Sequence, residues 1–199
     1  MSGARIPPGR RADIGLVNDA ITRVLGVAAG GPPPHLFTTL ARHRGLFRRW
    51  LAFAGALMPG GVLPRADAEL VILRVAHNCR CEYEARHHRR LGALAGLTAD
   101  QIARVADGPE AAGWTPREAL LLRAADALHG EARTIDDALW AALAAELSER
   151  ELIELPLLVG HYEMLAMTLN ALQVEPDREP AGPPSRAARV RQRLAERRR

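Results

Sequence analysis

Apolar and polar positions follow a helical rhythm along nearly the whole chain. Between residues 12 and 28, Ile14, Val17, Ile21, Val24 and Leu25 recur three or four apart, and the GGPPP run at 30–34 stops them. Residues 35–58, HLFTTLARHRGLFRRWLAFAGALM, read as one broken helix or two, with Gly45 as the break and MPGGVLP as the loop that follows. From Arg65 to His77, Leu70, Leu73 and Val75 are interleaved with Glu69 and Arg74, again as in a helix. Later starts carry their own punctuation. Thr98 and Gln101 form a capping box for a helix ending at Gly108, and Thr115 caps another that has Pro116 in its first position and Gly130 after its end. Thr134 opens TIDDALWAALAAEL, and a second capping box, Ser148 with Glu151, opens the last segment, in which Pro156 should introduce a kink. No convincing strand and no repeat of fixed period is present. The pattern predicts an all-α protein of about seven or eight helices.

Composition sharpens this picture. Hydrophobic residues make up 48% of the 199 and aromatics only 4%, so the apolar weight is mostly Ala and Leu, which favour helices. All 27 basic residues are Arg; the absence of lysine excludes Schiff-base chemistry and any lysine base. The net charge of +4 belongs to one end: residues 186–199 hold seven Arg and one Glu, which leaves residues 1–185 at −2. That end follows the breaker EPDREPAGPP and reads as a solvated tail. The body has no basic stripe, so nucleic acid is not an expected partner. The two cysteines, one residue apart, make no disulfide framework. No signal-peptide pattern and no run of roughly 20 apolar residues is seen, so the expected setting is cytoplasmic, away from membranes.

One stretch concentrates chemistry. HNCRCEYEARHH, residues 77–88, holds both cysteines and three of the seven histidines. On a helix over 80–95, at about 100° per residue, Cys81, Glu84 and His88 share one inward surface with small residues, while His87 joins Tyr83, Leu91 and Leu94 on a neighbouring apolar stripe. Glu84 and His88 stand four apart, so the carboxylate could orient the imidazole and raise its basicity. Cys81 would sit in the first turn, where the helix dipole favours a thiolate. Structural roles compete with each of these: a small buried thiol, a buried Glu–His pair, and a core or interface histidine at 87. A C-x-C pair beside adjacent histidines matches no standard zinc spacing, so neither a metal nor a cofactor is expected.

ELVILRVAHNCRCEYEARHHRRLGALAGLTADQI resembles the core motif of the carboxymuconolactone decarboxylase family, which includes alkylhydroperoxidase D-like proteins. The similarity extends through LLRAADALHGEARTIDDALWAALAAEL and VGHYEMLAMTLNAL and covers roughly residues 35–175. On this basis residues 1–34 are an N-terminal extension, 35–176 the helical domain and 177–199 the tail. The resemblance implies an all-α fold assembling as a homo-oligomer (dimer, trimer or hexamer) and acting on a small molecule, a hydroperoxide or a lactone acid. The family's peroxidase branch has the pattern Glu-x11-Cys-x2-Cys-x3-His. Here those positions are Glu69, Cys81, Glu84 and His88, so the second cysteine is replaced by Glu84. The leading expectation is a thiol-dependent peroxidase or antioxidant centred on Cys81, with Glu69 and His88 as proton relay and Glu84 orienting His88. Cys79 could resolve an oxidised Cys81 only from flexible chain ahead of the helix. The decarboxylase branch instead implies acid–base work by Glu84 and His88, with His161 and Tyr162 lining the site. A non-catalytic oligomeric binding module is the third reading.

Overall fold

The structure is a computed structural model and describes residues 3–29 and 31–177. It is all-helical: α1 Arg11–Ala29, α2 His35–Leu40, α3 Arg44–Leu57, α4 Arg65–Asn78, α5 Glu82–Ala95, α6 Ala99–Arg104 with a 3₁₀ turn at Val105–Asp107, α7 Pro116–His129, α8 Asp137–Glu146 and α9 Glu149–Leu172. No strand occurs among the described residues. The expected all-α class holds, with nine α-helices described where the sequence suggested seven or eight. The Arg-rich stretch from residue 178 onward lies outside the described residues.

The chain separates into two compact units: residues up to Ala56 together with those from Leu169 on, and Leu57–Thr168. In the first, Ile14, Ala41 and Phe47 form a buried cluster flanked by Ile21, Phe37, Leu40, Trp50 and Leu51. Two expectations change here. The break in residues 35–58 falls at 41–43, and Gly45 lies inside α3. On α1 the buried face is Ile14, Asn18, Thr22 and Gly26, while Val17 and Val24 are exposed. Gly26 explains the choice of face: a Cβ there would lie 2.7 Å from the Pro33 nitrogen, so the close approach of the following loop needs the one residue without a side chain.

The second unit is built around α4. Every residue from Ala68 to Leu73 is buried, as are Val75 and Ala76, and α4 packs chiefly on α5 and α7. Leu70 and Leu73 join Leu97, Val105 and Leu122 in a core in which each fully buried aliphatic side chain contributes roughly 1.5–3 kcal/mol. Gly92 sets the distance between α5 and α4: a Cβ there would come within 3.0 Å of Leu97 and 3.5 Å of Leu73. This small residue, one turn after His88, lets the two helices approach closely. The capping box at Thr98 and the Thr115 cap both form, and Ser148 and Glu151 cap α9 reciprocally. α8, in contrast, is capped by Asp136 rather than Thr134, because the Asp136 carboxylate accepts the Leu139 N–H at 2.8 Å. α9 is long and apolar enough to pass for a membrane span, which the reading of the sequence had not found. Half of its most apolar window is buried inside the protein, Leu155, Leu158, Val159, Leu165 and Ala166 among it.

Candidate functional site

The site forms where α4, α5 and α9 face one another in the second unit. Glu69 on α4 is fully buried, and its carboxylate meets His88 of α5, with Nδ1 to Oε2 at 2.6 Å. The other Glu69 oxygen is paired with the Arg65 guanidinium at 2.6 Å, one helical turn earlier. A carboxylate only accepts, so the His88 Nδ1–H is the donor in this contact. Tyr162 of α9 stands edge-on to the His88 ring at 5.1 Å, and His161 contacts Tyr162 in the same manner at 5.2 Å. Burial pushes the His161 imidazole down, and burial, reinforced by the Glu69 and Glu84 carboxyls, pushes the Tyr162 phenol up. His87 packs against His88 at 5.5 Å, consistent with its place on the neighbouring stripe.

The orientation of His88 therefore comes from Glu69 and not, as the helical spacing suggested, from Glu84. Side chains on a helix lean toward its N-terminus, and the Glu84 carboxyl leans toward Cys81. Glu84 is 2% exposed, and neither of its carboxyl oxygens has a well-formed hydrogen bond. Burial pushes this acid up to about 8, with the Cys81 thiol pulling slightly the other way.

Cys81 departs from expectation too. α5 starts at Glu82, and Cys81 is its extended N-cap residue rather than part of its first turn. It is buried, and burial together with the Glu84 carboxyl pushes its thiol up to about 12, against the opposing pull of the Glu84 backbone N–H. Dehydration and a neighbouring acid outweigh the helix dipole, so this thiol is the reverse of an activated one.

Cys79 belongs to a different neighbourhood. It is the C-cap of α4, separated from Cys81 only by Arg80, whose φ of 51° turns the chain sharply. Its sulfur lies 4.0 Å from Nδ1 of His129 at the end of α7. The same nitrogen is 2.7 Å from Glu163 Oε1 on α9, and Arg133 pairs with the second Glu163 oxygen at 2.7 Å. Burial and the Glu163 charge push the Cys79 thiol up to about 11.

A cleft of about 680 Å³ opens beside α4, α5 and α6, with Leu73, Ile102 and Val105 in its apolar wall, Cys81 lining it and Arg80 and Arg89 offering charge. The sequence had pointed to no arginine for the site. Arg65, four residues before Glu69, carried a readable signal in its helical spacing, whereas the cleft with Arg80 and Arg89 is lined by neither Glu84 nor His88.

Residues 44–127 match the model of the carboxymuconolactone decarboxylase family. Solved structures share the architecture. The alkylhydroperoxidase AhpD core of an uncharacterized peroxidase-related protein from Ralstonia eutropha JMP134 superposes with a TM-score of 0.80 at 19% identity, covering 90% of this chain and 95% of that one. An uncharacterized peroxidase-related protein from Silicibacter sp. TM1040 gives 0.76 at 16% identity, with 92% and 98% covered. The debrominase Bmp8 gives 0.73 at 14% identity, with 96% and 97% covered. No curated protein matches the chain significantly. The match over residues 44–127 identifies that stretch with the carboxymuconolactone decarboxylase family model, and the shared helical architecture is the alkylhydroperoxidase D-like fold.

Proposed function

We propose that this protein is a cofactor-free acid–base enzyme acting on a small anionic carbonyl compound of the lactone-acid class, with Glu84 as general acid and His88 as the group that renews its proton. The observation that carries this reading is Glu84, a buried carboxyl with no well-formed hydrogen bond, pushed up to about 8 by that burial, one helical turn from an imidazole oriented by a separate carboxylate. Two titratable groups with their environments set apart in this way suit proton transfer. In a decarboxylation, the bond to the leaving carboxylate breaks, its electron pair passes into an enolate, and CO₂ departs. Glu84 then delivers its proton to the carbon, and His88 passes one from solvent to the Glu84 carboxylate. One proton is consumed for each CO₂ released.

The peroxidase reading keeps its own support: Cys81 lines the cleft, Glu69 and His88 pair as its proton relay requires, and similar structures include peroxidase-related proteins. The two readings separate cleanly by experiment. A panel of γ-lactone acids and β-keto acids is incubated with the protein in D₂O, and NMR follows CO₂ loss and deuterium entering the product. Glu84→Gln and His88→Gln are each expected to lower turnover at least ~100-fold, the usual contribution of a general acid or base, while Cys81→Ser retains it. Hydroperoxide consumption that disappears with Cys81→Ser, with every carboxylic acid left untouched, would overturn the acid–base reading.

A further inference from the structure

Three helices bring a thiol, an imidazole and a carboxylate to one point that the acid–base reading does not use. Cys79 ends α4, His129 ends α7, and Glu163 comes from the middle of α9. One ligand atom from each lies within 4.8 Å of the other two. We propose that Cys79, His129 and Glu163 form a binding site for a divalent transition-metal ion of the zinc class.

The geometry comes close to what such an ion needs. With Zn–S near 2.3 Å and Zn–N and Zn–O near 2.0–2.1 Å, a tetrahedral site separates sulfur from nitrogen by roughly 3.6 Å and nitrogen from oxygen by roughly 3.3 Å. Here the Cys79 sulfur and the His129 Nδ1 are 4.0 Å apart, and that nitrogen and the Glu163 oxygen 2.7 Å. Shifts of about half an ångström, within reach of side-chain rotation, bring these two separations to the tetrahedral values, and the sulfur-to-oxygen separation lies within 4.8 Å. Nδ1 of His129 faces both partners at once, so a single ion can take all three ligands without a new rotamer for the imidazole. The second Glu163 oxygen stays with Arg133, an outer contact of the kind that orients a ligating carboxylate. Three protein ligands leave a fourth position for water or a ligand. Their positions in the chain, 79, 129 and 163, share no short spacing, which is why no zinc motif shows in the sequence.

Cobalt(II) titrated into the reduced, metal-stripped full-length protein tests this directly, because a sulfur ligand gives a thiolate-to-metal charge-transfer band in the near ultraviolet. One equivalent is expected to bind with that band, and Zn²⁺ to displace it. Cys79→Ser should abolish the band and His129→Gln should weaken binding at least ~10-fold, the lower end for loss of a group supporting a metal site. Cys81→Ser should leave the band intact. A wild-type titration without the band overturns the site whatever the variants do. So does a band that survives Cys79→Ser or disappears with Cys81→Ser. In that case His129, Glu163 and Arg133 are an ion-pair network and nothing more.

Discussion

Glu84 is held as a neutral acid by its surroundings, and the cost of ionising it falls on the fold. Its pKa rises from 4.5 to about 8, so across that span the folded chain keeps a proton that the unfolded chain has released. Stability contributed by this group is complete below the unfolded value and declines as pH climbs through the folded one, by at most about 1.4 kcal/mol per pH unit. Urea unfolding of wild type and Glu84→Gln at about pH 5 and about pH 8 should show the wild type losing clearly more stability than the variant. Equal losses would mean that Glu84 is better solvated than its position implies. Much of this residue-level chemistry was legible: the spacing of Cys81, Glu84 and His88 put them on one face of a helix, and all three are buried together. What the spacing misassigned was the partner of His88. A helical wheel sees only neighbours on its own helix, and the carboxylate that holds His88 arrives from α4, brought near by Gly92. Glu69 was reached through the family pattern alone.

Elements with strong local signals were the readable ones. Thr98, Thr115 and Ser148 each cap a helix with their own hydroxyls, a contact spanning three residues that needs no tertiary partner. Thr134 lost its expected place because an aspartate two residues later makes the stronger cap. The start of α5 was misjudged because Arg80 occupies the left-handed region, which sequence assigns readily only to Gly or Asn. That link gives a test at the scale of the element. Arg80→Val places a β-branched side chain at φ 51° and should lower stability by about 1–2 kcal/mol, whereas Arg80→Gly should stay within about 1 kcal/mol of wild type. Thermal unfolding of the two variants reads the difference. A valine that costs no more than glycine would show that the link is not held in this conformation.

At the scale of the whole molecule, α9 presents a second face. Ile153, Leu157, Met164 and Met167 lie exposed at helical spacing, opposite the residues that enter the core. Self-association, expected from the family resemblance, would cover such a stripe with another copy of the chain. Light scattering is expected to report a mass above the 21.6 kDa of a single chain, reduced toward it by Leu157→Glu with Met164→Glu. A wild type that is monomeric at every concentration tested would refute this. A different consequence follows from the sharp link at Arg80. It delivers two sulfurs, only two positions apart, into surroundings of unequal shelter: Cys79 is partly open and Cys81 is closed. A thiol alkylating agent should therefore add its first label to the native chain at Cys79, at a rate that rises with pH, and a second only as the chain opens. Mass spectrometry of the doubly labelled fraction would turn the pair into a built-in clock for unfolding, with no foreign probe attached.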